Sequence, residues 1–416
     1  MADGSEPEGK FDIVVAGGSY AGLAFVRGLV QALGPDVRIA IVDRARSPVA
    51  AVPTDGRAFA VWAGAKAVLE GLGVWQAIAG EAEAMISIEI SDSALQDGMR
   101  PTRLTYDART PDGRPAAYMV PAATLSAALY QSIANEPSVT WIAPAEADDL
   151  ALTERSAEVR LRDQRTISAA LCIAADGRNS KLREAAGIKT VGWAYDQIGI
   201  VATVQFSKPH GGIAIQHFLP GGPFAILPLR NNRACITWSA EAQEAARVMA
   251  LDNQGFLAEL DRRIGGRFGS IELVGTPQSW PLDIKLPRQL VARRFALIGD
   301  AAHGVHPIAG QGVNLALRDA AALIEVVADA ARLGLDLGDG THLERYQRWR
   351  RFDSMMSATV YDGLNRLFGV DNIVLRAGRG AGLGMLDRLG SVKQMIVSEA
   401  SGLSGDVPKL VRGCPV

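Results

Sequence analysis

The sequence predicts an α/β protein built around a dinucleotide-binding βαβ unit, and three segments of the chain support this prediction. The first is N-terminal, where an apolar strand over residues 11–16 leads into a glycine-rich turn and a helix over residues 23–33. A second strand over residues 37–42 ends at Asp43, about 20 positions beyond the turn. This spacing lets a pyrophosphate lie on the helix N-terminus while the acid binds a ribose hydroxyl.

The turn of the first segment has the small residues that close approach of a phosphate requires. Glycines let backbone N–H groups contact the phosphate, and the helix dipole favours its negative charge. Ser19 stands where the usual fingerprint has glycine, but serine is small and can hydrogen-bond to a phosphate oxygen. The residues assigned to the ADP part of a cofactor are Gly17, Gly18, Ser19, Ala21, Gly22 and Asp43.

The second segment is a strand, loop and helix with features that suit a flavin. A strand over residues 295–298 precedes Asp300, whose carboxylate can accept hydrogen bonds from ribityl hydroxyls. Gly310 and Gly312 let backbone amides approach a ring, and a helix beginning near Val313 presents free N–H groups to a reduced flavin. The residues expected to bind or position the flavin here are Asp300, Pro307, Gly310, Gln311, Gly312, Val313 and Asn314.

The third segment is a strand that ends at Asp176-Gly177 and is followed by a polar helix start. Asn179 or Ser180 could simply cap that helix, and alone the segment would indicate no more than a capped turn. Because it lies between the glycine turn and the Gly299-Asp300 pair in the chain, we also assign Asp176 to the cofactor.

In this order the three segments resemble the class A FAD-dependent aromatic hydroxylases, from about residue 12 to residue 402. The Asp55-Gly56-Arg57 run and the C-terminal stretch from Tyr346 to Gly402 are similar to the ubiquinone-biosynthesis hydroxylases within that class. The chain departs from the pattern at Ser19, at Ala174, where glycine is usual, and at Ala122-Ala123, near which members often carry a phosphate-binding arginine.

The resemblance implies FAD as cofactor, NADH or NADPH as transient reductant, and O2 as co-substrate. Oxygen would add to flavin C4a, and the hydroperoxide would hydroxylate an electron-rich ring. Arg57 would contact the pyrophosphate or flavin side of FAD, and Pro307, Gly310 and Gly312 would position the flavin beside the ring. The residues proposed for the ring pocket are Phe218, Phe224, Leu227 and Pro228, which plain sheet core would explain equally well. No general base for the substrate phenol is identified.

The resemblance also implies a Rossmann-like FAD-binding domain of the glutathione-reductase type, an inserted β-sheet substrate domain and a C-terminal helical region. The FAD-binding domain is expected over residues 11–76, 117–186 and 285–340, the substrate domain over residues 77–116 and 187–284, and the helical region over residues 341–416. The glycines of residues 378–384 predict a break in that helical region.

Composition excludes several other classes of protein. The net charge of −2 and the lack of a long basic run argue against nucleic-acid binding. Three scattered cysteines indicate a reducing compartment without a disulfide framework. The polar start of the chain resembles neither a signal nor a transit peptide, and no apolar run is long enough to span a membrane. His303 and His306 have metal-ligand spacing, but no third ligand is near, so no metal is expected.

The substrate implied by the resemblance is a polyprenylated phenol, whose tail stays in the bilayer at about 0.8 kcal/mol per buried CH₂ group. We therefore expect a cytoplasmic protein that attaches to the inner membrane, or to a ubiquinone-biosynthesis complex, through its basic, amphipathic C-terminal region. An ordinary solvated helix face would account for the same pattern. Deleting residues 373–416 is expected to weaken membrane recovery without releasing FAD. The sequence gives no oligomeric state.

Three other functions are compatible with parts of this pattern. A hydroxylase of a soluble aromatic compound would share the FAD segments but would not need the C-terminal resemblance. A flavoprotein reductase of isoprenoid double bonds would not use oxygen. A non-catalytic, FAD-stabilised scaffold of a biosynthetic complex would not couple NAD(P)H oxidation to oxygen. A tryptophan-dependent halogenase is disfavoured because its Trp-x-Trp-x-Ile-Pro pattern does not occur.

Overall fold

A computed structural model describes residues 10–46, 56–95, 100–110, 112–304, 310–369 and 373–416. The strands are β1 Lys10–Ala16, β2 Ile39–Val42, β3 Ala58–Trp62, β4 Glu83–Ala84, β5 Ser87–Asp92, β6 Leu104–Asp107, β7 Ala117–Pro121, β8 Val139–Ile142, β9 Ala147–Leu152, β10 Ala157–Leu161, β11 Thr166–Ala174, β12 Thr190–Phe206, β13 Ile213–Leu219, β14 Gly222–Leu229, β15 Arg233–Glu241, β16 Ile271–Pro287, β17 Val291–Ala292 and β18 Phe295–Leu297. The helices are α1 Tyr20–Leu33, α2 Ala63–Gly71, α3 Trp75–Ile78, α4 Ala122–Gln131, α5 Lys181–Ala185, α6 Ala242–Met249, α7 Asn253–Ile264, α8 Gly312–Arg332, α9 Gly340–Gly369, α10 Ile373–Asp387 and α11 Gly390–Ser401.

The first sheet has the order β17-β18-β11-β1-β2-β8, with β10 and β9 extending from β11. Strands β18, β11, β1, β2 and β8 are parallel, and the side chains of β2 are buried along the whole strand. Such apolar strands are typical of a parallel sheet covered on both faces. Strands β8, β10 and β11 lie far from β1 in the chain and join it in this sheet. The mixed α/β fold class is confirmed.

The parallel strands of this sheet end at one edge, and that edge positions the site. β1 ends at Ala16, β2 at Val42, β11 at Ala174 and β18 at Leu297. Ligands of open α/β sheets bind outside the carboxyl ends of the strands. The glycine turn, Asp43, the Asp-Gly pair and the Gly-Asp pair therefore all lie at the same edge.

The second sheet has the order β16-β12-β15-β14-β13-β5-β6. One face packs under α6 and α7, with Phe224, Ile226, Trp238 and Leu260 in its core. These two helices lie within residues 187–284, which were expected to form part of a β-sheet domain. The opposite face meets the domain built on the first sheet, which we call the first domain. The hydroxyl of Thr203 on this face donates to the carbonyl of Gly56 at 2.9 Å.

The C-terminal region is helical, but the predicted glycine break is wrong, because α10 runs through Gly378–Gly384 without interruption. A tertiary contact holds this helix: Arg379 Nε donates to Asp92 Oδ2 at 2.7 Å, and both side chains are buried. After α11 the chain returns to the first domain, where Leu410 and Val411 join its core. Deleting residues 373–416 would therefore remove part of the core.

Candidate active site

The glycine turn between β1 and α1 is packed so closely that side chains do not fit. Gly17 has a φ of +107°, and a Cβ there would lie 2.2 Å from the carbonyl oxygen of Ala175. A Cβ on Gly22 would lie 2.1 Å from the carbonyl oxygen of Gly17. The turn therefore contacts the end of β11 directly, and glycine is required at both positions.

The remaining residues of the turn have different surroundings. The backbone N–H groups of Gly18 and Ala45 donate to the Asp43 carboxylate at 2.6 and 2.8 Å, so this acid orders the turn. Its contact with a ribose stays a prediction. Ser19 is the N-cap of α1 but forms no side-chain cap hydrogen bond, and its side chain is exposed. Ala21 is buried, and a Cβ on Gly299 would lie 2.8 Å from its methyl group.

The Gly299-Asp300 pair forms a 3-10 turn after β18 and faces the glycine turn. Tyr20 donates its hydroxyl to Asp300 Oδ1 at 3.3 Å. Burial raises the pKa of Tyr20 well above its ordinary value, and the Asp300 carboxylate raises it further. Tyr20 is thus a neutral donor that helps to orient Asp300. Sequence reasoning missed it, although its place inside the glycine turn was a signal.

The Asp-Gly segment joins the other two segments. Ser180 caps α5 by accepting from the Arg183 N–H at 3.0 Å, so the capping interpretation is correct. The buried Arg183 guanidinium donates to the carbonyls of Ala301 at 2.9 Å and Arg178 at 3.0 Å. Burial raises the pKa of Asp176, whose Oδ1 has no hydrogen-bond partner among the described residues. A contact between this buried oxygen and the cofactor stays a prediction.

The start of α8 combines an open backbone with a fixed orientation. No neighbour lies within 4 Å of a Cβ built on Gly312, whereas a Cβ built on Gly310, which has a φ of +61°, would lie 3.1 Å from the Ala60 Cβ. Gln311 is the buried N-cap residue, and Val313 packs in the core. Pro307 lies outside the described residues.

Asn314 has a different role from the one expected. Its Oδ1 accepts from the Trp62 N–H at 2.9 Å, and its Nδ2 donates to the Ala60 carbonyl at 2.7 Å. The side chain therefore fixes the start of α8 against β3. A contact between its backbone and the flavin stays a prediction.

Arg57 lies next to the face of the second sheet that is opposite to α6 and α7, which we call the flavin-side face. The exposed Arg57 guanidinium lies 6.0 Å from the centre of the Trp280 ring. Trp280 pairs with Gly199, and Leu227 pairs with Cys235, which pairs in turn with Thr203. Because paired residues share a face, this flavin-side face carries Leu227 and Trp280 opposite the Gly56 loop.

The four residues proposed for the ring pocket are divided between the two faces of the sheet. Leu227 lies on the flavin-side face. The ring of Phe218 stacks on the ring of Phe368 in α9, with 3.8 Å between the ring centroids. Phe224 is fully buried against Trp238 under the α6 and α7 helices, so its assignment to the pocket is corrected to core. Pro228 pairs with Ala234 of the same core and is corrected likewise, because Leu227 and Pro228 are neighbours and point to opposite faces.

The histidines within the described residues contact protein groups. His303 Nε2 lies 2.7 Å from Asp319 Oδ2, and His306 lies outside the described residues. His210 contacts the Leu229 carbonyl at 2.8 Å, and His217 Nδ1 lies 2.6 Å from the Ser91 hydroxyl. Within the described ranges, no group of three or more His, Cys, Asp or Glu residues could hold a metal ion.

Comparison with known proteins identifies the family of this chain. A family model described as FAD binding domain matches residues 10–352. Ubiquinone hydroxylase UbiL of Rhodospirillum rubrum is 35% identical over 97% of this chain and 93% of its own. The 3-demethoxyubiquinol 3-hydroxylase of Escherichia coli is 32% identical over 94% of this chain and 98% of its own. Among solved structures, p-nitrophenol 4-monooxygenase PnpA of Pseudomonas putida DLL-E4 has a TM-score of 0.78 at 16% identity, covering 94% of this chain and 97% of that one, which shows a shared fold.

The fold and the three convergent segments define a flavoprotein aromatic hydroxylase. The chain belongs to the ubiquinone-biosynthesis hydroxylase family within this class. The residues present fit FAD, because Gly17 and Gly22 admit no side chain, Asp176 Oδ1 has no hydrogen-bond partner among the described residues, and a Cβ on Gly312 at the start of α8 would meet no atom within 4 Å. NAD(P)H is the reductant typical of this family.

Proposed function

We propose that this enzyme hydroxylates the aromatic ring of a polyprenylated phenol in ubiquinone biosynthesis, using NAD(P)H and O2. The observation that carries the proposal is the relationship over nearly the whole chain to proteins named for ubiquinone hydroxylation. Bound FAD supplies the activation of O2, and the protein binds, orients and shields the reactants.

The flavin-side face of the second sheet provides an apolar lining for the ring. Leu227 and Trp280 pack with the buried Val201 and Cys235 against Ala60, which neighbours Gly310. Such a lining excludes water, which protects a reactive oxygen species from side reactions. The same cluster continues to Leu383 of α10, so an apolar tail would meet apolar side chains as it leaves the ring site.

Gln216 supplies a polar group on this lining. Its Nε2 is buried and has no hydrogen-bond partner among the described residues. Gln216 pairs with Ala225, which pairs with Thr237 and in turn with Val201, so it shares the flavin-side face. An unpaired buried donor costs about 1–3 kcal/mol, and a substrate phenol oxygen would satisfy it. We therefore expect Gln216→Leu to raise KM for the phenol at least tenfold.

The activity is tested with purified enzyme loaded with FAD. NAD(P)H oxidation and oxygen uptake are measured with a prenylated phenol in micelles and with matched phenols lacking the tail, and ¹⁸O₂ labels the product. We expect tail-dependent turnover and one ¹⁸O atom in the ring. Equal turnover of phenols without the tail would favour a hydroxylase of soluble compounds, and FAD binding without phenol-dependent turnover would favour a scaffold.

We infer further that the enzyme attaches peripherally to the cytoplasmic side of the inner membrane through its C-terminal helices. None of the described helices is long and apolar enough to cross a bilayer. Large apolar side chains are exposed on and around α9, α10 and α11: Met355, Met356, Leu367, Met385, Leu389, Met395, Ile396 and Leu403. Exposed Arg348, Arg351 and Arg412 lie in the same region and would attract anionic headgroups.

Attachment is tested by flotation of the full-length, FAD-loaded protein with vesicles. A Met395→Ser/Ile396→Ser variant should lose recovery with vesicles that contain anionic lipid. Leu333→Ser is the matched control, because Leu333 is 73% exposed but lies at the end of α8. Equal recovery of all three proteins would contradict lipid docking through α11 and leave a protein complex as the means of attachment.

A further inference from the structure

A buried cluster of charged side chains lies behind the Gly299-Asp300 turn. Arg350 Nε donates to Asp319 Oδ1 at 2.8 Å, and Arg350 Nη1 donates to Asp353 Oδ2 at 2.6 Å. Arg318 also donates to Asp353, at 3.3 Å. The side chains of Asp319 and Arg350 are 0% and 2% exposed. Burial opposes ionisation of Asp319, but His303 and Arg350 overcome this and hold its pKa below the ordinary value.

This cluster is bonded directly to the turn. The Gly299 N–H donates to Asp319 Oδ2 at 3.1 Å, and His303 Nε2 lies 2.7 Å from the same oxygen. One turn of α9 away from Arg350, the Tyr346 hydroxyl donates to the Leu297 carbonyl at 2.7 Å. Helix α9 therefore holds the end of β18 and, through the Asp319 hydrogen bond to Gly299, the start of the turn that carries Asp300, while His303 contacts the same carboxylate after the turn.

We propose that Asp319 and Arg350 are positioning residues that hold the Gly299-Asp300 turn and set the electrostatic potential at the flavin through their balanced charges. Asp319 follows Gly312 by seven residues in α8, so its carboxylate lies about 10 Å along the helix axis from the start that faces the flavin. Buried charges at this distance are weakly screened by salt.

The opposite charges of Asp319 and Arg350 predict that removing each one shifts the flavin reduction potential in an opposite direction. A general loosening of the structure would not produce opposite shifts. Asp319→Asn leaves the positive charge of Arg350 in excess, which favours the electron-rich reduced flavin. Arg350→Met leaves the negative charge of Asp319 in excess, which favours the oxidised flavin. At about 10 Å and an effective dielectric constant of about 20, one unit charge changes the ratio of the affinity for reduced flavin to the affinity for oxidised flavin about tenfold. That ratio corresponds to about 30 mV for a two-electron couple.

The experiment measures the reduction potential of bound FAD and the FAD dissociation constant in the full-length enzyme. We expect Asp319→Asn to raise the potential, Arg350→Met to lower it, and the double variant to lie between them, near the unaltered enzyme. Arg263→Met is the matched control, because it removes a buried guanidinium, 4% exposed, from an ion pair with Glu259 in α7, away from the flavin. It should lower stability and leave the potential unchanged.

Shifts of the same sign in both single variants, or affinity ratios within twofold of the unaltered enzyme, would overturn the proposal. Asp353→Asn protects the test against failure of the buried variants to fold, because the Asp353 side chain is 35% exposed. It should raise the potential in the same direction as Asp319→Asn, with at least a twofold change in the affinity ratio. A smaller change there overturns the proposal by itself.

Discussion

Gly17→Ala tests whether the glycine turn is the FAD pyrophosphate site. At a φ of +107°, any L side chain is strained by about 1–2 kcal/mol. The added Cβ would also lie 2.2 Å from the Ala175 carbonyl oxygen, so backbone must move by about 1 Å to reach ordinary contact. A shift of that size breaks one or two charge-assisted hydrogen bonds to phosphate, each about 1.5–3 kcal/mol. The FAD dissociation constant should therefore rise about 100-fold or more.

The assay is titration of the apoenzyme with FAD, followed by flavin fluorescence. Gly34→Ala is the matched control, because Gly34 also has a positive φ, of +73°, but an added Cβ would meet no atom within 4 Å. The control should lose about 1 kcal/mol of stability and keep its FAD affinity. A Gly17→Ala enzyme that binds FAD within threefold of the unaltered enzyme would refute the assignment of the turn.

Three further predictions concern stability, measured by denaturant unfolding. Thr203→Val should lower the free energy of unfolding by about 1 kcal/mol, because it removes the bond to the Gly56 carbonyl; no loss would show that this bond does not tie the domains. Phe224→Leu should cost about 1–2 kcal/mol without changing KM for the phenol, and a raised KM would return Phe224 to the ring pocket. Burial opposes ionisation of Glu259, but hydrogen bonds from Arg247, Arg263 and others hold its pKa at about 2. Its stabilising contribution should be complete above about pH 4.5 and lost as the pH falls towards 2, so Glu259→Gln should differ from the unaltered enzyme at pH 7 but not at pH 2.

The strand-end chemistry of the site was predictable because it depends on local pattern. An apolar run followed by glycine or an acid places those groups at the carboxyl edge of a parallel sheet. Asp43, Asp176 and Asp300 were therefore identified from their positions after β2, β11 and β18. Tyr20 was not identified, because its place in the glycine turn does not reveal its partner Asp300, which lies 280 residues away in sequence.

The faces of the second sheet could not be predicted in the same way. β14 is apolar on both faces, because one face packs under helices and the other meets the first domain, so alternation does not separate Leu227 from Phe224. The glycines of residues 378–384 predicted a break because each costs about 1 kcal/mol in a helix. The buried Arg379–Asp92 pair, invisible to a local pattern, holds that helix instead.

The measurement that tests the central claim most directly is lipid analysis of a strain that lacks this protein, complemented with the unaltered gene or with an Asp300→Ala form. We expect the quinone to be absent and one prenylated phenol to accumulate, with the unaltered gene restoring the quinone and Asp300→Ala failing to do so. The mass of the intermediate would identify the ring position that is hydroxylated. A normal quinone pool without the protein would contradict the account and direct the search to soluble aromatic substrates.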